Sequence, residues 1–329
     1  MSARPFDASA ADEHELQIEK SVRPSLDDWI GQPEVLRQLR MFMQAAKERG
    51  EPLGHVLCHG PAGTGKTSLA RAIADDMGTK CYVTSGPMLK RPGDIMGVLT
   101  QLATGDVLFV DEVHSSSTCV VEILYPVMQE LAADFQVEMA SGASMPVRIK
   151  VKPFTLIGAT TMAGRLTQPF YDRFEHVWRL NLYSDFELSQ IIEQTSKKMR
   201  LKLGAGSALL LASRGRGTPR IALRLMRRAR DLAQVHRRPI DQAAVQETLD
   251  MLGIDELGLD ELDRRYLRVL AGPHRGGPAG VEAMAATMGD SAQTLVDVVE
   301  PWLLHKELIV RTRLGRQLTD AGKEYLHEA

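Results

Sequence analysis

The segment "HGPAGTGKTS", residues 59–68, combines a glycine-rich loop with a lysine and two hydroxyl residues. It fits the pattern G-x-x-x-x-G-K-[ST] through Gly60, Gly65, Lys66 and Thr67. Glycines allow backbone dihedral angles that are closed to other residues, so consecutive N–H groups can surround a polyphosphate. In this pattern the lysine reaches the β- and γ-phosphates, and the hydroxyl after it is a ligand of Mg²⁺.

The flanking sequence decides between a phosphate-binding loop and a flexible surface loop. The residues "HVLCHG", 55–60, form a short apolar run typical of a buried strand, and "TSLARAIADDMG", 67–78, has the periodicity of a helix. A strand, this loop and a helix in succession are the context that the motif requires. The sequence therefore predicts a nucleotide site.

The composition is that of a globular protein with more than one domain. The chain has 329 residues, of which 44% are hydrophobic and 25% charged, and this length predicts two or three compact units. No apolar run approaches the roughly 18 residues that span a bilayer, and the polar N-terminus lacks an apolar signal core. We therefore expect a cytoplasmic protein without a membrane partner.

The three cysteines, Cys58, Cys81 and Cys119, are isolated from one another in the sequence. They form no C-x-x-C pair of the kind that binds zinc or carries out redox chemistry. We expect all three to be small buried hydrophobic side chains.

Positive charge is concentrated in one part of a chain whose net charge is only −2. Residues 195–240 contain 13 lysines and arginines against a single acid, Asp231. A solvated helical face explains most of these charges singly. Their combined excess indicates an anionic partner or ligand without identifying it.

Apolar strand-like runs alternate with helical stretches between residues 53 and 182. The runs are "HVLCHG", "CYVTSG", "DVLFVDE" and "FTLIGAT". This alternation predicts an α/β fold in which helices cover both faces of a parallel sheet. The phosphate loop follows the first strand, at the edge where such sheets bind ligands.

A protruding hairpin is predicted over residues 134–151, "DFQVEMASGASMPVRIKV", because alternating polarity flanks a Ser-Gly-Ala-Ser turn. Both a decorative surface hairpin and a docking site for a partner fit this pattern. The sequence alone leaves the choice open.

The C-terminal half of the sequence has a different pattern of predicted helices and strands. Residues 184–256 have helical patterns without strands, and three amphipathic helices then precede "VRTRLGRQLT", which predicts two short strands around a Leu-Gly turn. Three helices followed by a hairpin are typical of a winged helix. The predicted organisation is a mobile tail (1–20), a sheet domain (21–183), a helical lid (184–256) and a winged helix (257–329).

Two strand ends carry candidate residues for hydrolysis. Asp111 and Glu112 end the run "DVLFVDE", where one carboxylate can hold Mg²⁺ and its neighbour can polarise a water molecule. Thr160 and Thr161 end "FTLIGAT", where a hydroxyl can sense the γ-phosphate. An acid pair at a strand end is common, so its position after a phosphate loop is what makes it informative.

Two arginines are candidates for contacting the nucleotide from other directions. Arg173, in "YDRFEHVWRL", can stabilise transition-state charge on a neighbouring subunit, or form a surface ion pair. Arg220 follows Pro219 at a predicted helix start, where proline fixes the direction of entry. Such a residue can couple the nucleotide state to the angle of the lid.

These motifs, in this order, resemble those of AAA+ ATPases and, more closely, of the RuvB family of bacterial Holliday-junction branch-migration motors. The likeness runs from about Val22 to Thr319. The segments that carry it include "RPSLDDWIGQPEV", "GPAGTGKTSLA", "DVLFVDEVH", "PFTLIGATT", "DRFEHVWRL", "RGTPRIA", "MLGIDELGLDELDR" and "VRTRLGR".

The resemblance implies roles for matching positions. It implies that Val22, Arg23 and Tyr183 flank the adenine, that Thr161 is the first sensor, and that Arg220 is the second. The implied phosphate and magnesium positions are Gly63, Gly65, Lys66, Thr67 and Ser68, and the implied Walker B acids are Asp111 and Glu112. The implied arginine finger is Arg173, and the implied DNA contacts are Arg311 and Arg316.

The resemblance also implies cofactors and partners. They are ATP with Mg²⁺, double-stranded DNA and four-way junctions, and further copies of the chain in a hexameric ring. In the family two such rings encircle opposite duplex arms, and the element that matches the hairpin at 134–151 docks the junction-binding partner RuvA. The fold implied is an AAA+ domain with a lid and a winged helix.

The chain departs from the family's pattern at several places, and the phosphate loop is one of them, with Pro-Ala-Gly-Thr at 61–64 where the family usually has Pro-Pro-Gly-Leu. The segment "HSSSTCVVEI" after Glu112 lacks an arginine-leucine pair, Tyr171 replaces one of two arginines, and the wing has Arg313 and Leu314 where the family has Pro and Arg. The altered segment after Glu112 and the altered wing motivate an alternative hypothesis, a nucleotide-gated scaffold that binds DNA or protein without translocation. A small-molecule kinase is a third hypothesis, but it gives the finger arginine, the lid and the wing no role.

Overall fold

The computed structural model describes residues 24–138 and 144–328. The predicted tail at 1–20 and the candidate adenine-site residues Val22 and Arg23 lie outside this range, as does the predicted turn of the hairpin at 139–143.

Five parallel strands form the central sheet, in the order β2-β3-β6-β1-β7. In chain order the strands of this domain are β1 (Val56–His59), β2 (Cys81–Ser85), β3 (Val107–Asp111), β4 (Ala132–Glu138), β5 (Ser144–Lys150), β6 (Thr155–Thr160) and β7 (His176–Arg179). The four predicted strands are present as β1, β2, β3 and β6. Since all five strands run in one direction, their carboxyl ends meet at a single edge.

Alternate residues of the strands enter two separate hydrophobic layers. In β1, Val56 and Cys58 pack on one side of the sheet and Leu57 packs on the other. This separation follows from the period of two in a strand, which sends successive side chains to opposite faces. Both faces are therefore buried, as the continuous apolar runs predicted.

Helices cover both faces, which confirms the α/β prediction. Helices Pro33–Arg49 and Lys66–Met77 pack on the Val56 side, and helices Pro92–Leu99 and Thr118–Glu130 pack on the Leu57 side. The short helix Gln168–Tyr171 contributes the buried Phe170 to the second layer.

The strand β7 is absent from the sequence prediction. Its four residues, "HVWR", include two polar side chains and make a run too short for a periodicity argument. Pairing with β1 over Val56–His59 supplies the backbone hydrogen bonds that local sequence does not indicate. Trp178 then fills the layer on the Val56 side.

The predicted hairpin is present as the antiparallel pair β4 and β5. It begins at Ala132, two residues before the predicted start, because Ala132 pairs with Lys150. Its base is tied to the preceding helix by an ion pair between Arg148 and Glu130, at 2.6 Å.

The described residues form two compact units. One contains 24–187 with Thr218–Arg220, and the other contains Leu188–Gly217 with 221–328. Four helices precede the C-terminal elements, namely Asp185–Lys198, Ser207–Ser213, Pro219–Val235 and Gln242–Met251.

The C-terminal elements are those of a winged helix. Helices Glu261–Ala271 and Val281–Met288 come first. A third helical stretch follows, made of Ala292–Thr294, a π-helical turn Leu295–Val299, and Glu300–His305. The wing is the antiparallel pair β8 (Ile309–Thr312) and β9 (Gly315–Leu318), and a further helix, Asp320–Glu328, was not predicted.

A buried ion pair joins the helical segment to the winged helix within the second unit. The Arg216 guanidinium donates to the carbonyl oxygen of Gly258 at 2.7 Å and to the carboxylate of Asp263, and Asp260 lies 3.9 Å away. Arg216, Asp260 and Asp263 are all buried. A buried arginine of this kind is held by its partners, because an unpaired buried charge is strongly destabilising.

The expectation of three buried cysteines is right for Cys58 and wrong for the other two. Cys58 is fully buried in β1, and burial raises the pKa of its thiol to about 12. Cys81 and Cys119 are only half-buried, since Cys81 begins the edge strand β2 and Cys119 lies in the first turn of its helix. The thiol of Cys119 lies 3.2 Å from the hydroxyl of Ser117.

No helix among residues 24–138 and 144–328 is both long enough and apolar enough to cross a membrane.

His55 links β1, β6 and the helix Thr118–Glu130, and the structure defines its neutral form. Its Nδ1 accepts a hydrogen bond from the amide of Leu156 at 3.0 Å, and its Nε2 lies 3.2 Å from the carbonyl oxygen of Met128. Burial lowers the pKa of His55 below 6.5, despite opposing effects of Met128 and Glu175. The folded state therefore favours the neutral ring.

We expect the free energy of unfolding to fall as the pH drops below about 6.5, because the unfolded chain protonates His55 first. Protonation in the folded state would leave the Leu156 amide without its acceptor, at a cost of about 1–3 kcal/mol. Urea unfolding at pH 7.5 and 5.5 measures this loss. In the matched variant His55→Gln the pH dependence should shrink, and an unchanged dependence would contradict the assignment.

Candidate functional site

The phosphate loop lies at the carboxyl end of β1 and depends on its glycines. Gly60, Gly63 and Gly65 have φ angles of 138°, 79° and 101°, which other residues rarely adopt. A Cβ atom on Gly60 would lie 2.2 Å from the carbonyl oxygen of Leu180. The loop can therefore follow this path only with glycine at that position.

Lys66 is folded onto the loop. Its Nζ donates to the carbonyl oxygens of Gly60 and Pro61, each at 2.9 Å. Burial lowers the pKa of Lys66, whereas the nearby carboxylates of Glu112 and Asp111 act to raise it. The site thus holds a buried amine beside two acids, and its positive charge is directed into the loop.

The helix Lys66–Met77 begins directly after the loop, with Gly65 as its N-cap and no side-chain capping bond. The first turn of a helix has backbone N–H groups without intrahelical partners, which attract an anion. Thr67 and Ser68 lie in this turn and are half-buried. The loop and the helix start therefore form a cradle that fits a polyphosphate.

An aromatic group lies against the other side of the loop. The hydroxyl of Tyr183 donates to the carbonyl oxygen of Thr64 at 3.2 Å, and burial raises the pKa of Tyr183 to about 12, so it remains a donor. A Cβ atom on Gly31 would lie 2.6 Å from the Tyr183 ring, and one on Gly65 would lie 3.5 Å from Trp29. Tyr183, the candidate adenine-site residue that lies within the described range, is thus beside the loop.

The carboxylate of Glu112 lies at the end of β3 among polar groups from β6. Glu112 has a left-handed backbone, with φ of 44°. Its two oxygens lie 3.2 and 3.4 Å from the Thr161 hydroxyl, and the Thr161 amide is 3.4 Å away. The Asp111 carboxylate accepts from the Glu112 amide at 3.0 Å. The structure therefore brings the predicted acids and the predicted sensor together.

His114 joins this group, although no sequence pattern gave it a role. Its Nδ1 lies 3.2 Å from a carboxylate oxygen of Glu112 and 2.8 Å from the hydroxyl of Thr160. The Thr160 hydroxyl in turn accepts from the amide of Met162 at 2.9 Å. His114 lies in the short 3₁₀ turn that follows Glu112, and this turn places its ring beside the end of the strand.

Arg220 lies beside the loop as well. The Cβ of Arg220 is 3.2 Å from where a Cβ on Gly63 would be, and the Thr218 side chain is 3.4 Å from that point. The charge of Arg220 acts to lower the pKa of Lys66. The helix begins at Pro219, as predicted, and the Arg220 side chain is exposed.

Arg173 does not join the cluster around the loop. Its guanidinium carbon lies 4.3 Å from the centre of the Tyr125 ring, and it donates to the carbonyl oxygen of Pro169 and to Gln129, the latter at 3.4 Å. Within residues 24–138 and 144–328, its Nε has no hydrogen-bond partner. The Arg173 side chain therefore packs against the helix Thr118–Glu130.

The wing arginines are paired inside the protein. Arg311 and Arg316 lie opposite each other on β8 and β9, and both donate to the buried carboxylate of Glu300. The family resemblance implied that these arginines contact DNA, and the sequence analysis did not single out Glu300. The same helical stretch also contains the exposed Asp297, and the sequence does not indicate which of the two acids is buried.

Three comparisons with known proteins agree along the chain. The family model described as the Holliday junction DNA helicase RuvB P-loop domain matches residues 22–180. The RuvB AAA lid domain matches 183–255, and the RuvB C-terminal winged helix domain matches 256–327.

Two curated relatives are each called Holliday junction branch migration complex subunit RuvB. The protein of Pseudothermotoga lettingae is 45% identical over 308 residues, covering 93% of this chain and 90% of that protein. The protein of Paramagnetospirillum magneticum is 45% identical over 313 residues, covering 94% and 89%. A solved structure, the Thermotoga maritima RuvB Holliday junction branch migration motor, is 41% identical with a TM-score of 0.83, covering 93% of this chain and 98% of that one.

Proposed function

The chain belongs to the RuvB family of AAA+ P-loop ATPases, and from that premise we propose that it hydrolyses ATP to drive branch migration at Holliday junctions in recombination and repair. The observation that carries the proposal is the cluster at the carboxyl edge of the sheet. There the phosphate loop, Glu112, Thr161 and Arg220 converge. In this proposal residues 21–183 form the ATPase domain, 184–256 the lid and 257–329 the winged helix.

Each group around the loop has a role in holding the nucleotide. The backbone of Gly63 and Gly65 and the first turn of the helix bind the phosphates. Lys66 exchanges its present carbonyl partners for phosphate oxygens, which are stronger acceptors because they are charged. Tyr183 lies on the adenine side, where we also place Val22 and Arg23 on the strength of the family pattern. Arg220 approaches from the lid.

The residues present fit a magnesium ion. Thr67, in the first turn of the helix after the loop, and Asp111, the last residue of β3, would supply oxygen ligands of the kind that Mg²⁺ prefers. Bound there, Mg²⁺ neutralises charge on the phosphates.

Glu112 is the residue that we assign to the attacking water. A carboxylate at this position can accept a proton and orient the water in line with the γ-phosphate. The contacts of Thr161 and His114 with the Glu112 carboxylate determine where it points. Thr161 is therefore placed to link the γ-phosphate to Glu112, as a first sensor does.

Hydrolysis in this proposal needs a second copy of the chain. The Arg173 side chain packs against Tyr125 and Gln129 of the helix Thr118–Glu130, apart from the phosphate loop of its own subunit. An arginine supplied by a neighbour can stabilise the charge that develops on the phosphoryl group. We propose a closed ring, most simply a hexamer, in which each Arg173 completes the adjacent site.

The winged helix and the hairpin supply the remaining contacts. A translocase must hold any sequence, so we assign Arg311 and Arg316 to the phosphate backbone, with strong salt dependence as the consequence. We assign the hairpin of β4 and β5 to a RuvA-type protein that binds the junction. Arg216, within the excess of lysine and arginine at 195–240, is buried against Asp263 and is not part of any contact with an anionic partner.

The proposal is tested with a synthetic four-way junction. The purified protein, with ATP, Mg²⁺ and a RuvA-type protein, should convert the junction to forked duplexes at low salt and more slowly at high salt. ATP turnover should rise when DNA is added. Turnover without stimulation by DNA, and no conversion, would favour the scaffold alternative that the altered segment after Glu112 motivates.

His114 should act on hydrolysis through Glu112. We expect His114→Ala and Thr160→Val to lower kcat for ATP by about 10- to 100-fold, because a small displacement of a reacting group is costly. The KM for ATP should change less than about twofold. Thr160 accepts from the Gly60 amide of the loop through its backbone carbonyl, which the substitutions retain, and the His114 side chain contacts Glu112 and Thr160. Thr160→Ser keeps the hydroxyl and should retain most activity. Equal losses in all three variants would show a general effect on folding.

A further inference from the structure

A fully buried carboxylate, that of Glu300, lies beneath the wing. Arg311 donates to its Oε2 at 2.7 Å through Nε, and Arg316 donates to its Oε1 at 2.9 Å. The hydroxyl of Tyr266, also fully buried, donates to Oε1 at 3.1 Å. Both oxygens of the carboxylate are therefore engaged by side chains from three different elements.

The register of the wing explains why such a carboxylate is needed. Arg311 and Arg316 are direct partners across β8 and β9, and like charges in that position destabilise a strand pair. Glu300 lies between the two guanidinium groups and offsets their repulsion. Its own burial is tolerable because it is paired and hydrogen-bonded.

The backbone before Glu300 is unusual. The π-helical turn Leu295–Val299 precedes it, and Glu300 begins the next helical segment. A π-helical turn changes the direction of the side chains that follow it, and such turns are frequent at functional sites. Here the acid that follows the turn reaches the underside of the wing.

The two arginines differ in how much of the side chain is exposed to a ligand. The side chain of Arg311 is 44% exposed, whereas that of Arg316 is 18% exposed. Both contact Glu300 through the edge that carries Nε and Nη2, so the opposite edge of a guanidinium group is available to solvent mainly at Arg311. Arg313, at the tip of the wing, is exposed and takes part in no ion pair within the described chain.

Building on the DNA-binding role assigned above, we propose that Glu300 is a positioning residue for duplex binding. It fixes the Arg311 guanidinium so that its outer edge faces a DNA phosphate, with Arg316 and Tyr266 as supports behind it. A planar guanidinium held in one orientation loses less conformational freedom on binding a phosphate than a free one does. An acid under the wing thereby strengthens binding to a polyanion.

The test is the affinity of the full-length Glu300→Gln protein for a duplex of random sequence, measured by fluorescence anisotropy. Bulk electrostatics predicts tighter binding, because the variant has one negative charge fewer. The positioning role predicts the opposite, a dissociation constant about tenfold higher at about 0.1 M salt. Binding that is unchanged or tighter would overturn the proposal.

Asp297→Asn is the matched control. Asp297 is exposed, lies three residues before Glu300 and contacts Gln293, so its replacement removes the same charge without touching the arginines. It should bind DNA as tightly as the unaltered protein, or slightly more tightly. Weakening by Asp297→Asn equal to that by Glu300→Gln would assign the effect to net charge or local folding.

A double variant identifies the residue through which Glu300 acts. Glu300→Gln should add little to the loss caused by Arg311→Ala, because the oriented group is then absent, but it should add fully to Arg313→Ala. Thermal melting checks the fold of each variant. If Glu300→Gln fails to fold, Tyr266→Phe removes one of the bonds to the same carboxylate and should weaken binding in the same direction.

Failure of the underlying function has a different signature. If the unaltered protein bound no duplex at all, the assignment of the wing to DNA would be wrong. If it bound duplex and Glu300→Gln did too with equal strength, only the positioning role would be wrong.

Discussion

Replacing Arg173 with alanine should lower ATP turnover by about 10³- to 10⁵-fold, the range found for arginine fingers in phosphoryl transfer. The affinity for ATP should change only a few-fold, because Arg173 rests on Tyr125 and Gln129 of its own subunit and not on the phosphate loop. The positive charge of Arg173 acts in the site of the adjacent copy, where negative charge develops on the transferred phosphoryl group.

Steady-state turnover and equilibrium binding of ATP, measured on the same preparation, separate these effects. Arg49→Ala is a suitable control, since Arg49 is exposed at the end of a helix and, among the residues that the structure describes, pairs with Glu51 alone. It should leave both quantities unchanged. Turnover by Arg173→Ala within about tenfold of the unaltered protein would be incompatible with a finger role.

Replacing Glu112 with glutamine should reduce hydrolysis by about 10²- to 10⁴-fold, the usual contribution of a positioned general base. Glutamine has nearly the same size and can still accept from the Thr161 hydroxyl, which lies 3.2 Å from the present carboxylate. It cannot take up a proton from water. The local structure should therefore survive while the chemical step is lost.

Single-turnover kinetics with saturating protein measures that chemical step directly. ATP should remain bound and uncleaved on Glu112→Gln, so the variant should accumulate as a stable ATP complex. Loss of ATP binding would instead point to a structural role for Glu112 at the loop. Rapid cleavage would show that another group activates the water.

The sheet was predictable from local sequence because its central strands are buried on both faces. β1, β3 and β6 consist largely of apolar residues, and a continuous apolar run between turn signals is typical of such strands. β7 lies at the sheet edge and contains His176 and Arg179, so its strand character depends on pairing with β1. Local pattern carries no information about such pairing.

The arrangement of the candidate site was predictable where a motif places particular residues at fixed spacing. The phosphate loop and the Asp-Glu pair occupy the same edge because parallel strands end together, and Thr161 reaches Glu112 for that reason. His114 and Glu300 were missed for a common reason. The role proposed for each depends on a contact that the fold creates: His114 with Thr160 at the end of β6, and Glu300 with two arginines of the wing.

The cysteine prediction was wrong for Cys81 and Cys119 because the spacing of cysteines in a sequence gives no information on how deeply each side chain is buried. An apolar strand at a sheet edge, such as β2, exposes part of its side chains even though its composition resembles that of a buried strand. The edge position of β2 follows from the strand order and not from its own residues.

The central claim is that two copies of the chain share each ATP site, and mixing two inactive variants tests it most directly. In a mixed ring, a subunit carrying Arg173→Ala retains its own Glu112 and can receive Arg173 from a neighbour carrying Glu112→Gln. Random assembly of equal amounts should restore up to about a quarter of the unaltered turnover. Activity no greater than that of the separate variants, with subunit exchange verified by energy transfer between labelled copies, would contradict a shared site.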